Sequence, residues 1–158
     1  MHYSGINFCD TANGPGVRVS LFVSGCSLHC KGCFNKAAWE QHYGKLFNKT
    51  VLNKICNALS SFYIDGLSIL GGDPLEPYNK DEVAFIARYV KDLYPEKSIW
   101  LWTGRKYEDI KDEEVLKYID VLVDGPFIER KKVTEQGKYY GSTNQRIIRI
   151  HEKNEASL

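Results

Sequence analysis

Val17-Arg18-Val19-Ser20-Leu21-Phe22-Val23 runs straight into Ser24-Gly25-Cys26-Ser27-Leu28-His29-Cys30-Lys31-Gly32-Cys33. The first seven residues alternate, are rich in β-branched side chains and follow the turn-forming Asn13-Gly14-Pro15-Gly16, so they read as a strand ending where the cysteines begin. Cys26, Cys30 and Cys33 put three thiolates in one short loop. Three thiolates can hold three corners of a four-iron cluster and leave the fourth iron open, whereas a cluster that only carries electrons is normally tied by four. Zinc competes for the same loop, because Cys3His is a known structural set and His29 stands among the cysteines. Zinc ligands usually come as two spaced pairs, which this chain does not offer, so the spacing favours iron and sulfur.

Outward from that loop, strand and helix patterns alternate. Thr50 can cap a helix with Leu52, Ile55, Cys56, Leu59 and Phe62 on one face, broken by Asp65-Gly66. Leu67-Ser68-Ile69-Leu70 is a short buried strand that enters Gly71-Gly72-Asp73-Pro74. Asn79 and Glu82 have the spacing of a capping box, ahead of a stripe of Val83, Ile86, Ala87, Val90 and Leu93 that stops before Pro95. Ser98 to Trp102 and Asp120 to Val123 read as two more strands, with helical character from Glu113 to Tyr118 between them, and Gln145 to Ile150 is a candidate fifth.

Such alternation predicts right-handed β-α-β units and a mainly parallel sheet. At 158 residues the chain is far short of the roughly 250 typical of a closed eight-fold barrel. The predicted fold is therefore α/β, an incomplete open (β/α) barrel of partial TIM-like form. It is read as one domain over residues 1–150 with a polar tail at 151–158.

Composition narrows the function. Hydrophobic residues make up 43% of the chain, enough for one core. Lys and Arg number 21 against 20 Asp and Glu, a net charge of +1, so no global field draws the protein onto nucleic acid or an anionic membrane. No apolar run approaches the ~20 residues of a membrane span, and Met1-His2-Tyr3-Ser4-Gly5 lacks the features of a signal peptide, so the predicted location is the cytoplasm. Five cysteines, three of them clustered, suit metal binding in a reducing compartment better than a disulfide framework.

In a parallel sheet the residues just after each strand share the carboxyl edge, where ligands bind. That reasoning puts the cysteine loop, Gly71-Gly72, Thr103-Gly104 and Asp124-Gly125 on one rim. The double glycine lets main chain approach a ligand, although the same pattern also makes an ordinary strand-to-helix turn.

Together these segments resemble the radical S-adenosylmethionine family, with its CxxxCxxC loop and its glycine-rich GGEP-like segment, here Gly71-Gly72-Asp73-Pro74 with Asp for the commoner Glu. Within that family the chain is similar to the activases of anaerobic ribonucleotide reductases, along residues 13–16, 21–26, 33–36, 71–74, 99–104, 123–125 and 141–145. The resemblance implies a 4Fe-4S cluster on Cys26, Cys30 and Cys33, with S-adenosylmethionine chelated at the open iron. Gly71, Gly72 and Asp73 would then hold the methionine end, and Gly32, Cys33 and Phe34 would lie against the adenine side.

It also implies reductive cleavage of the sulfonium to a 5′-deoxyadenosyl radical, which takes hydrogen from a glycine Cα of the large subunit of an anaerobic ribonucleoside-triphosphate reductase. The cofactor does the bond breaking, so no side-chain acid or base is nominated. A flavodoxin-like or other low-potential donor is implied, because the cluster must work at the reducing end of the iron–sulfur range. Two positions depart from the family pattern: Arg105 stands where an aromatic usually follows Trp-Thr-Gly, and Tyr140 where an arginine usually precedes Gly141. Rival readings are another small radical enzyme, such as a pyruvate formate-lyase activator or a deazapurine synthase, and a non-catalytic zinc module.

The remaining residues carry plainer expectations. Cys56 is a buried structural thiol, and Cys9 is structural or a fourth ligand from the amino-terminal segment. His2, His42 and His151 are surface or core histidines. Glu129-Arg130-Lys131-Lys132 is a solvated loop or a contact for an acidic partner surface. Trp100 and Trp102 are placed on opposite faces of their strand, and Asp124 either binds a ribose hydroxyl or caps a turn.

Overall fold

The computed structural model describes residues 1–33, 35–135 and 137–151. Phe34 and the tail beyond His151, both of which carried expectations, lie outside the described residues. In chain order the strands are β1 (His2–Asp10), β2 (Arg18–Val23), β3 (Lys45–Leu46), β4 (Gly66–Gly71), β5 (Ser98–Trp102), β6 (Val121–Asp124) and β7 (Arg146–Arg149). The helices are α1 (Lys49–Leu59), α2 (Lys80–Leu93) and the single turn α3 (Tyr107–Ile110). All seven strands join one sheet in the order β3-β1-β2-β4-β5-β6-β7.

The centre of the sheet is parallel, as the strand-helix alternation predicts. Leu21 sits opposite Ile69, Ile69 opposite Leu101, and Leu101 opposite Leu122, which lines up one apolar row across β2, β4, β5 and β6. That face, with Val19, Val23, Leu67 and Ile99, packs into one core with Leu52, Ile55 and Leu59 of α1 and Val83, Ile86, Ala87 and Val90 of α2. Each such fully buried aliphatic side chain contributes roughly 1.5–3 kcal/mol. The opposite face carries Trp100, Val121 and Val123, covered in part by Trp102, Tyr139 and Tyr140.

Both flanks depart from the mainly parallel expectation: β1 pairs antiparallel with β2 and with β3, and β7 pairs antiparallel with β6. The sheet is mixed and open. A parallel return needs a crossover of a dozen or more residues, usually helical. The turn 11–17 between β1 and β2 is too short for one, and between β6 and β7 the described residues hold only a three-residue 3-10 turn, Glu129–Lys131. β1 escaped the sequence reading because its alternation is broken by register shifts at Tyr3/Gly5 and Asn7/Asp10.

Several local expectations are also corrected. The cap of α1 is Asn48, whose Oδ1 accepts from Val51 N–H at 3.0 Å, in place of Thr50. The helix ends at Leu59, leaving Phe62 95% exposed. No capping box opens α2: Asn79 makes no side-chain cap bond, Glu82 instead pairs with the amino terminus at 3.2 Å, and Leu93 faces solvent. Trp100 and Trp102 share one face, with ring centroids 5.7 Å apart, because a two-residue step returns a strand side chain to the same side. Among the described residues no helix is long and apolar enough to cross a membrane.

Candidate functional site

The carboxyl ends of the four parallel strands are knit into one rim by backbone bonds. Gly72 N–H donates to Val23 C=O and Asp73 N–H to Gly25 C=O, both at 2.8 Å. Thr103 N–H donates to Val123 C=O, and Gly125 N–H to Arg105 C=O, each at 3.0 Å. The double glycine makes the closest of these approaches possible. Gly71 has φ of +115°, and a side chain on Gly72 would strike the carbonyls of Gly25 and Ala38. The β4 turn thus rests directly on the root of the cysteine loop.

That root is pinned by the 3-10 turn Lys36–Trp39: Gly25 N–H donates to Ala38 C=O at 2.7 Å and Cys26 N–H to Trp39 C=O at 3.1 Å. Cys33 N–H closes back on Cys30 C=O at 3.1 Å, so all three cysteines sit on one folded loop, half-buried and free of disulfides. His29, at the non-glycine positive φ of 48°, stacks its ring on Trp39 at 4.3 Å and 15°. Its imidazole braces the loop beside the three thiols. Among the described residues no three His, Cys, Asp or Glu groups converge at single-ion distance. Three free thiols on one loop are the donor type that holds an iron–sulfur cluster.

Burial pushes the Cys26 thiol up, and the carboxylates of Asp73 and Glu76 push in the same direction, against backbone N–H groups of Leu28 and His29 that favour the thiolate. A bound metal would override that balance, because a coordinating thiol is deprotonated outright.

Behind the loop lies a charged frame. Asp73 is fully buried, and its carboxylate accepts from Leu75 N–H at 2.9 Å, Gly104 N–H at 2.9 Å and Thr103 Oγ1 at 2.9 Å. Glu76, 2% exposed, accepts on Oε2 from Ser27 N–H at 3.1 Å, Ser27 Oγ at 2.9 Å and Arg105 Nη2 at 2.9 Å. Arg105 Nη1 stands 3.1 Å from Asp73 Oδ2 as an ion pair, yet lacks hydrogen-bond geometry to any partner. Burial raises the Asp73 carboxyl above its usual range in spite of its donors. For Glu76, burial is outweighed by the bonds from Arg105 and Ser27, which hold it below the usual glutamate value. Asn79, fully buried, donates through Nδ2 to Ser24 C=O at 2.9 Å and Asp73 C=O at 3.2 Å, tying the same two loops.

Cys26, Cys30, Cys33, Gly71, Gly72 and Asp73 are therefore brought to one rim, and Gly32 lies in the same cysteine loop. The Asp73 carboxylate is engaged inside the protein, by Leu75, Thr103 and Gly104. Asp124 is a turn cap: its carboxylate accepts from Tyr107 N–H at 2.7 Å and from Arg146 Nε at 3.0 Å. Gly141-Ser142-Thr143-Asn144-Gln145 locks the β6 loop, through Gln145 Nε2 to Gly125 C=O and Asn144 Nδ2 to Pro126 C=O, both at 2.8 Å. Cys9 is at the opposite edge of the sheet, beside Asp10, which pairs with Arg18 at the start of β2, so it cannot serve the cysteine loop. Cys56 is buried in the core as expected. A groove of about 400 Å³ lined by Phe47, Leu52, Glu82, Phe85 and Tyr89 belongs to the helical side, away from the rim.

Sequence reasoning missed Glu76, Asn79 and Ser27 as parts of the frame, and met Arg105 only as an oddity. The available signal was the three-residue step from Asp73 to Glu76 after a glycine turn, with a cation immediately after the next strand's Thr-Gly.

An open α/β sheet with a three-thiol loop on its parallel carboxyl edge defines, as a class, an iron–sulfur protein, and residues 12–148 match the family described as a 4Fe-4S single cluster domain. The chain is 46% identical over 147 residues to a protein of Enterobacteria phage T4, with 93% of each chain covered. It is 42% identical over 155 residues to one of Vibrio cholerae, covering 95% of this chain and 99% of the relative, and 38% identical over 149 residues to one of Escherichia coli K12, covering 92% and 96%. All three relatives bear the same name, and the chain belongs to their family, the anaerobic ribonucleoside-triphosphate reductase-activating proteins.

Proposed function

We propose that this protein activates an anaerobic ribonucleoside-triphosphate reductase by generating a glycyl radical on it, through reductive cleavage of S-adenosylmethionine at a 4Fe-4S cluster held by Cys26, Cys30 and Cys33. The observation that carries the reading is the set of three free thiols on one loop, its root bonded to the Gly72-Asp73 turn. Held by Cys26, Cys30 and Cys33, such a cluster would supply the one electron needed to cleave the sulfonium and so to generate the radical on the reductase's glycine Cα.

The chain's own residues do the placing. Ser27, tied to Glu76, and Gly25, tied to Asp73 and Ala38, hold the cysteine loop at a set height over the sheet. The main chain of Gly71 and Gly72 would receive the methionine end of the cofactor, and Gly32 and Cys33 the adenine side. Asp73 serves by fixing Thr103 and Gly104, which keeps the β4 and β5 loops in register. The open sheet leaves the rim accessible to a large protein substrate.

The test is anaerobic reconstitution. A dithionite-reduced sample is expected to show a cluster signal in electron paramagnetic resonance that changes on adding S-adenosylmethionine, to release 5′-deoxyadenosine, and to yield a glycyl radical on the reductase. A protein that binds one zinc and is indifferent to the sulfonium would overturn the reading. Release of 5′-deoxyadenosine without a glycyl radical on the reductase would point to a different radical substrate.

A further inference from the structure

The second half of the cysteine loop, whose Gly32 and Cys33 are assigned to the adenine side, also borders a basic surface on its outer flank. A methyl group placed on Gly32 would fall 2.7 Å from Glu129 Cδ, so the 3-10 turn Glu129–Lys131 packs directly on the loop. Backbone bonds hold that turn in place: Lys131 N–H donates to Ile128 C=O at 2.9 Å and Thr143 N–H to Lys131 C=O at 3.0 Å. On the neighbouring flank Lys36 Nζ lies 5.9 Å from the centre of the Trp39 ring that braces His29.

Lys31, Lys36, Arg130, Lys131 and Lys132 are all exposed, and among the described residues none of them enters an ion pair. Across segments 29–33 and 129–132 together with Lys36, Glu129 is the sole carboxylate against these five cations. The chain as a whole carries only +1, so the positive charge is concentrated beside the cysteines. The first half of the loop has the opposite surroundings: Ser27 meets Glu76, and Leu28 meets Gly104.

We infer that this basic cap is the docking surface for an acidic electron-transfer protein that delivers the reducing electron. The inference rests on the proposed function, which requires such a donor. In the step itself the donor is oxidised by one electron and the cluster reduced by one, with no bond formed and no proton moved. A donor needs only close approach to the cysteine loop, whereas a protein substrate must reach the Gly71 to Asp73 and Thr103-Gly104 turns on the other flank. Clustered charge of one sign raises association rates by about 10- to 1000-fold and loses that advantage as salt rises.

The experiment uses the reconstituted protein and an acidic flavodoxin as the probe. It compares wild type, the triple variant Arg130→Glu, Lys131→Glu, Lys132→Glu, and Lys54→Glu on the exposed face of α1 as a remote control. The triple variant is expected to bind flavodoxin at least about 10-fold more weakly at low salt, while Lys54→Glu binds as wild type does. Wild-type affinity should fall steeply with ionic strength, and dithionite-driven release of 5′-deoxyadenosine should be unchanged in the triple variant. Equal flavodoxin affinity in wild type and triple variant, or a wild-type affinity indifferent to salt, overturns the surface. A triple variant that keeps flavodoxin binding but loses glycyl-radical formation with dithionite would reassign the cap to the reductase. Binding is read apart from turnover, so a wild type inactive with dithionite would remove the proposed function while the affinity comparison still decides the surface.

Discussion

Two arginines, one fully buried and one half-buried, stand at opposite edges of the same sheet, and they are partnered in opposite ways. Arg18, at the amino edge, is fully buried and places all five N–H groups on neutral oxygens: Nε on Ser68 Oγ, Nη1 on Pro15 C=O and Ser98 Oγ, and Nη2 on Leu67 and Ser98 C=O. Burial pulls its pKa down to about 10, with Asp65 and Asp120 pulling the other way, so it remains a cation at neutral pH. Arg105, at the carboxyl edge, faces two carboxylates, Asp73 and Glu76, and keeps Nη1 without a hydrogen bond. A fully satisfied guanidinium among neutral dipoles is a rivet. An arginine shared between two acids and partly solvated forms an adjustable frame, and the cysteine loop hangs from that frame.

The comparison breaks most sharply at the cysteines. Cys30→Ala is expected to abolish iron binding and cleavage of S-adenosylmethionine while leaving the unfolding of the metal-free protein within about 0.5 kcal/mol of wild type, because the thiol belongs to neither edge network. Iron analysis and urea unfolding check this, and retained turnover would contradict it.

Arg18→Leu is expected to cost on the order of 3–5 kcal/mol in urea unfolding, since the Pro15, Leu67 and Ser98 carbonyls lose buried donors. A loss under about 1 kcal/mol would mean that the amino edge is no rivet. Arg105→Leu should cost less, on the order of 1–2 kcal/mol, because the guanidinium is 22% exposed and partly screened. Its sharper effect should be faster loss of the cluster in air, with Arg105→Lys intermediate; equal cluster lifetimes would separate the frame from the loop it supports.

The two edges should also differ with pH. Glu76 is held below the usual glutamate range in the folded state, so its contribution is present above the unfolded value and is lost as pH falls through the lowered one. Asp73, raised by burial, works with the opposite sign. The stability difference between wild type and Glu76→Gln should therefore shrink as pH drops below about 4.5, while that between wild type and Arg18→Leu stays flat. The smallest effect is expected for Cys56→Ala, about 1 kcal/mol of stability with iron content unchanged.

The parallel centre of the sheet was legible because β2, β4, β5 and β6 each end in a punctuated loop, and four such loops after four strands can only share an edge. The antiparallel flanks were not, because β1 is interrupted by irregular register and β3 is only two residues long. Within the site, the three cysteines and the double glycine announce themselves by spacing. Glu76 and Asn79 do not, since each is an ordinary polar residue whose role depends on a partner from another loop.

By itself, then, the amino-acid sequence determined the three-cysteine loop, the strand-loop punctuation and the family, each legible in short runs of neighbouring residues. Only the tertiary structure decided that the Asp73 carboxylate is spent on Thr103, Gly104 and Leu75, that Arg105 joins two loops, that Asp124 caps a turn and that Cys9 lies at the far edge. Most of those outcomes depend on hydrogen bonds and burial between separate segments, 17 positions apart for Asp124 and Tyr107 and 30 for Asp73 and Thr103, which no local pattern specifies.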